Sequence, residues 1–253
     1  MHERPTLEVP VDSLEAALLA APFADRLELC DDLGSEGWSP TVELVRAVRA
    51  RVDIARTGIV AMLRPRLTEM PTSLDVTGFV AKPVMVEACL REIDAYARAG
   101  ATSVAIGPLT PDGHIDLDAA RRMRDAALGH GLVVAFLRTF DLLADRARGM
   151  RDLAELGITR VVTAGVPGWD ASVRPLEARI ACLAEDARLA RAAAPTGRPP
   201  VEVVPGGGVR ASNARDFLAV SPHLHASCRR AGTISRDELE LLAAVLASAG
   251  SAR

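Results

Sequence analysis

Three charged side chains interrupt apolar runs at spacings that suggest chemistry. In Leu7-Glu8-Val9 and Arg26-Leu27-Glu28-Leu29-Cys30 the aliphatic residues share one parity, while Glu8, Arg26, Glu28 and Cys30 take the other. Alternate residues of a strand point to opposite faces. If the aliphatic face meets a layer of helices, the charged face meets an interior. A third run ends in Arg64-Pro65-Arg66, so Glu8, Glu28 and Arg64 are expected from neighbouring strands. Two carboxylates beside a guanidinium can act as acid, base and charge stabiliser. The same residues can equally form an inert ion-pair network, because buried charges need partners.

Two further groups are candidates. His225 alternates with Ser227 on a late strand, and Cys30 ends an early one. Thiolate and imidazole together suit Cu(I); the alternative is a hydrogen-bonded histidine and a small buried thiol. Cys89 and Cys182 fall within helical patterns and read as packing residues. Gly206-Gly207-Gly208 follows a strand and precedes Ser212, a good helix start. Exposed N–H groups there can hold an anion, or the glycines simply make a tight turn.

The elements that must position these residues are legible as short β-like runs alternating with helical ones. The runs are Leu7–Val11, Arg26–Cys30, Ile59–Leu63, Ser103–Ile106, Leu132–Phe136, Arg160–Thr163, Val201–Val204 and His223–Ser227. Between them, Val86, Cys89, Leu90, Ile93 and Ala97 keep helical spacing, as do Met150, Leu153 and Leu156 before Gly157. A helix opens at Ser13, and another follows Ser235 through Leu239, Leu242, Val245 and Leu246. Eight alternations predict one α/β domain over residues 1–253, a closed parallel (β/α) barrel of the TIM type. A doubly wound sheet is the competing fold, but its first turn is glycine-rich and this one is not. Residues 67–83 are expected to form a long loop, and 192–200 a linker.

Composition narrows the function classes. The chain has 253 residues, 49% of them hydrophobic, and a net charge of −3. With no basic excess and 3% aromatic residues, nucleic acid is an unexpected partner. No apolar run approaches the ~18 residues of a membrane span, and the N-terminal segment lacks a signal pattern. The expectations are a cytoplasmic protein, a small-molecule or metal ligand, no membrane partner, and a homodimer.

In order along the chain come Ala24-Asp-Arg-Leu-Glu-Leu-Cys30, Gly37-Trp-Ser-Pro-Thr41, Arg64-Pro-Arg66 and Asp112-Gly-His-Ile-Asp116. Phe140-Asp141, Leu153-Ala-Glu-Leu-Gly-Ile158, Val161-Val-Thr-Ala-Gly165, Gly206-Gly-Gly-Val209 and His225-Ala-Ser227 follow. This ordered set resembles the copper homeostasis protein CutC family over nearly the whole barrel. The resemblance implies a TIM-type barrel, a cytoplasmic setting and a role in copper handling, with copper as the implied metal; it implies no defined reaction. It departs at Pro10, where the family has a cysteine, and at Leu137, where it has a histidine. Leu67-Thr-Glu-Met-Pro71 also replaces the family's glycine pair and its aromatic-Ser-Asp segment. Losing the imidazole removes an acid/base group and a metal ligand together.

The combined expectation names Glu8, Glu28, Arg64 and Asp141 as catalytic residues. Arg66, Thr163, Gly206, Gly207, Gly208 and Ser227 are the expected ligand contacts, and Cys30 and His225 the metal ligands. Three functions stay open: a copper protein, an enzyme acting on a small anionic or phosphorylated metabolite, and a barrel kept for binding.

Overall fold

A computed structural model describes residues 4–251. Eight parallel strands alternate with helices: β1 (Thr6–Val11), β2 (Arg26–Leu29), β3 (Gly58–Met62), β4 (Ser103–Ile106), β5 (Val133–Phe136), β6 (Arg160–Thr163), β7 (Glu202–Pro205) and β8 (His223–His225). The helices are α1 (Leu14–Ala20), α2 (Val42–Arg49), α3 (Pro83–Ala99), α4 (Leu117–Gly129), α5 (Arg146–Leu156), α6 (Leu176–Ala193), α7 (Ala214–Leu218) and α8 (Arg236–Ser251). A short antiparallel pair, β9 (Arg229–Arg230) and β10 (Thr233–Ile234), sits between β8 and α8.

The hydrogen-bonded order is β7-β6-β5-β4-β3-β2-β1-β8. β7 and β8 are therefore the two edges of the sheet, and they pack side by side. The barrel is nearly closed, with a seam where side chains replace the ladder. Across that seam His223 Nε2 stands 3.8 Å from a Glu202 carboxylate oxygen.

The helix termini follow the local chemistry of the sequence. Ser13 Oγ accepts from Ala16 N at 3.1 Å, and Asp116 and Asp145 cap α4 and α5 in the same way. Gly157 ends α5 at φ +69, where a side chain would be strained. The aliphatic parity of β1 and β2 faces the helices as expected: Leu7, Val9, Leu27 and Leu29 are all fully buried in the main core.

Two loops differ from expectation. The 67–83 segment contains a 3-10 turn at Val76–Phe79 that buries Phe79, and α6 runs into the expected linker as far as Ala193. Among the described residues no helix is long and apolar enough to cross a membrane.

One buried bond ties the fold to the barrel mouth. Tyr96 of α3 donates its hydroxyl to the Pro40 carbonyl at 2.6 Å, anchoring the β2–α2 loop. Tyr96→Phe should cost about 1–2 kcal/mol by stranding that buried carbonyl. The melting temperature should then fall by roughly 2–8 °C, measured by calorimetry; an unchanged melting temperature would show that the anchor contributes nothing.

Candidate functional site

Inward residues divide the barrel interior into two halves. On the β2–β5 side, Cys30, Val60, Met62, Ala105, Ala135 and Leu137 form an apolar cluster. On the other side Glu8, Arg26, Glu28, Arg160 and His225 form a charged one.

Glu8 organises the charged half. One carboxylate oxygen accepts from Arg26 Nε at 2.6 Å and lies 3.7 Å from Arg160 Nε, across the barrel. The other lies 2.9 Å from His225 Nδ1. Burial alone would raise the Glu8 pKa. The Arg26 charge, the His225 hydrogen bond and Arg160 outweigh burial and hold the carboxyl well below the usual range. His225 is correspondingly pushed up: burial opposes its charge, but the Glu8 hydrogen bond and the Glu28 and Glu8 charges prevail.

Glu28 sits on the far side of the imidazole, 3.8 Å from Nε2. Among the described residues no guanidinium forms an ion pair with it, and Arg26 acts on it only at a distance. Burial raises its pKa to about 7, the Glu8 charge adds to that rise, and His225 opposes it. The result is two carboxylates flanking one imidazole, one held ionised and the other poised near neutrality. Opposed environments of this kind assign acid and base roles.

This group opens into a cavity of about 500 Å³ at the C-terminal ends of the strands, the functional face of the fold. Glu28, His225 and Ser227 line it on one side, and Gly207, Gly208 and Arg138 on another. Pro10, Met62, Leu137 and Val162 supply apolar wall. Glu8 lies beneath His225 and is not part of the lining.

Several expected site residues stand elsewhere. Arg64 does not join Glu8 and Glu28. Strand β3 ends at Met62, so alternation no longer governs the chain, and Arg64 N turns to Ser39 Oγ at 2.9 Å. Its guanidinium lies between the Trp38 and Phe79 rings, at 4.1 and 4.8 Å from their centroids. It donates to the carbonyls of Gly37 and Thr72, both at 3.1 Å. Arg66 is exposed, paired with Asp32 at 3.2 Å and placed over Trp38.

Asp141 is buried behind the cavity and saturated with donors. Thr163 Oγ1 at 2.6 Å, Ala164 N at 2.8 Å, Arg146 Nη1 at 3.2 Å and Arg138 Nε at 3.3 Å all donate to it. Thr163 is likewise buried in that network. Both support the wall rather than form it. Gly206 lies at the seam, where a Cβ would stand 2.8 Å from Val162 Cγ1.

Arg138 and Trp169 are site residues that strand parity overlooks. Arg138 directly follows Leu137 at the end of β5, and position alone marks that end as functional. Its guanidinium lies over the Trp169 ring at 4.9 Å and donates to the Trp169 carbonyl at 2.7 Å. Trp169 in turn stacks on Phe79 and donates Nε1 to Glu36 at 3.0 Å, joining the β6 and β2 loops.

The donor set does not fit a copper ion. Cys30 packs in the apolar cluster and donates its thiol toward the Val11 carbonyl at 3.5 Å. Burial holds that thiol well above its usual pKa, which disfavours the ligating thiolate. The His225 nitrogens face the two carboxylates. Among the described residues no three His, Cys, Asp or Glu side chains converge to hold a metal.

Comparison with known proteins places these observations. The CutC family model matches residues 6–229. A CutC family protein of Histophilus somni is 31% identical over 226 residues, covering 88% of this chain and 82% of that protein. The human copper homeostasis protein cutC homolog is 31% identical over 226 residues, covering 88% and 73%. Among solved structures, the copper homeostasis protein CutC of Streptococcus agalactiae superposes with a TM-score of 0.73 at 21% identity. That match covers 88% of this chain and 98% of that one, and it bears on the fold.

Two outcomes test this geometry. The unfolded chain releases the Glu28 proton near the ordinary value of 4.5, and the folded chain near 7. Between those values the folded state holds the extra proton, so rising pH costs stability. Glu28→Gln removes that cost. Its stability relative to wild type, from urea unfolding, should climb between pH 4.5 and 7 and level off above; a flat difference would show Glu28 to be an ordinary carboxylate. Arg64→Ala should cost about 3 kcal/mol by removing two ring contacts and stranding carbonyls, with Arg64→Lys recovering only part. A variant as stable as wild type would remove Arg64 from its supporting role.

Proposed function

This chain belongs to the CutC family, and on that premise we propose that it acts on a small anionic metabolite at the barrel mouth, moving a proton between substrate and Glu28. One observation carries the reading. Glu28 is a buried carboxyl poised near pH 7, on the wall of a cavity of about 500 Å³ and 3.8 Å from His225 Nε2. A general acid or base works best when its pKa lies near the working pH. A carboxyl needed only for packing would be replaced by an aliphatic residue at lower desolvation cost.

The roles follow from the charges. Glu28 faces the cavity and exchanges the proton with substrate. His225 lies between the carboxylates and adjusts to the charge on Glu28. Glu8, fixed by Arg26 and Arg160, holds the imidazole by Nδ1. Arg138, which lines the cavity beside Gly207, attracts the anionic end of the ligand.

The experiment is incubation of the protein in D2O with a panel of small carboxylates and phosphate esters, followed by proton NMR for exchange or product. Glu28→Gln should slow the reaction it supports by about 10²–10⁴-fold. Turnover that survives in Glu28→Gln would sink the assignment. A competition titration against a Cu(I) chelator forms the second arm. Wild type and Cys30→Ser should differ little; a tight one-to-one complex lost in Cys30→Ser would move the function to the metal that the relatives' names suggest.

A further inference from the structure

The glycine turn after β7 carries more information than its sequence. Gly207 and Gly208 have φ of +66 and +76, a turn in the left-handed region, and successive N–H groups of a turn can form an anion-binding concavity. Beneath them lies Arg179 of α6, 6% exposed and with its guanidinium 5.1 Å from the Phe217 ring centroid. Its Nη2 donates to the carbonyls of Gly206 at 2.9 Å and Gly207 at 2.6 Å, and its Nε to the Ala164 carbonyl at 2.8 Å.

That grip fixes the direction of the amides. In a planar trans peptide the C=O and the following N–H point in opposite directions. Arg179 holds the Gly206 and Gly207 carbonyls on the helix side, so the Gly207 and Gly208 N–H groups point the other way. Both residues line the cavity. Among the described residues neither N–H has a hydrogen-bond partner.

Arg138 completes the concavity. Its Cζ lies 3.3 Å from where a Gly207 Cβ would stand, a contact tighter than a Cβ ordinarily makes. Its Nε is held by Asp141 and its Nη2 by the Trp169 carbonyl. Nη1 makes no bond among the described residues. The other cavity arginine, Arg229, is paired with Asp12.

We propose that Gly207 N–H, Gly208 N–H and Arg138 form a binding site for a tetrahedral oxyanion, the phosphate of a phosphate-monoester metabolite, with Arg179 as the residue that aims the amides. This rests on the small-anion reading above and specifies the anionic end of that ligand. Two amides and a guanidinium approach from different directions. Three oxygens of a tetrahedral anion can meet them together, whereas a planar carboxylate offers two acceptors in one plane. The Arg179 and Arg138 charges both favour an anion and disfavour a cation. The cavity size is that of a small-metabolite pocket.

The test uses inorganic phosphate and the intrinsic fluorescence of Trp169, whose ring lies against Arg138. The chain has two tryptophans, so the measurement is made in a Trp38→Phe background, with thermal shift on the unmodified protein beside it. Phosphate should bind saturably, sulfate should compete, and acetate should bind more weakly. Arg138→Ala and Arg138→Gln should each lose about tenfold or more in affinity. Arg179→Met should lose affinity while its melting curve stays cooperative, and Arg179→Lys should regain part of it; if Arg179→Met fails to fold, Arg179→Lys with reduced affinity carries the same point. Phosphate binding is read without any turnover, so a failure of the proton-transfer reading leaves this result standing. Absence of saturable phosphate binding, unchanged affinity in Arg138→Ala, acetate binding as tightly as phosphate, or wild-type affinity in both Arg179 variants would each overturn the assignment.

Discussion

The ionised Glu8 carboxylate, buried at 2% exposure, is the interaction on which the interior depends. A negative charge there is tolerable only because cations from other strands converge on it: Arg26 of β2, Arg160 of β6 and His225 of β8. The Arg26 and His225 contacts reinforce the ladders that flank β1, and the Arg160 contact reaches β6, which no ladder joins to β1. With Arg26 and Arg160 drawn to Glu8, Glu28 is left with an imidazole and, among the described residues, no guanidinium in an ion pair with it. The different acidities of the two glutamates therefore come from how the same few positive charges are shared, rather than from depth, since both are buried.

A second chain of contacts builds the opposite wall of the mouth. Arg66, Trp38, Arg64, Phe79, Trp169 and Arg138 form a continuous column in which guanidinium groups and aromatic rings succeed one another. It runs from exposed Arg66 to the cavity and fastens the loops after β2, β3, β5 and β6 to each other. Both of the chain's tryptophans lie in it. Arg64 is thus important without touching the cavity: it stands in the middle of the column, and burial lowers its pKa to about 10 without neutralising it at ordinary pH.

The sequence made the strands and the inward charges of β1 and β2 readable because alternation is a strict rule inside a strand. Glu8, Arg26 and Glu28 obey it. Arg64 breaks it because the strand has ended two residues earlier, and beyond that point the turn geometry and the Ser39 contact direct the side chain. Arg138 was hidden for the same reason, lying just outside β5 where parity says nothing. Asp141 and Thr163 were found by motif, but their burial behind Arg138 depends on the 3-10 turn at Arg138–Leu142, which no periodicity announces. Cys30 and His225 have different surroundings because the interior is split by polarity, and the thiol belongs to the apolar half.

The seam between β7 and β8 has a mechanical meaning. A cylinder laddered around all but one joint is stiff everywhere except along that slit, where shear meets side-chain contacts instead of backbone bonds. The glycine turn stands at the top of one lip and His225 on the other. A molecule seated in the mouth and touching both lips would act as a clasp, turning the most compliant line of the barrel into one whose stiffness depends on occupancy.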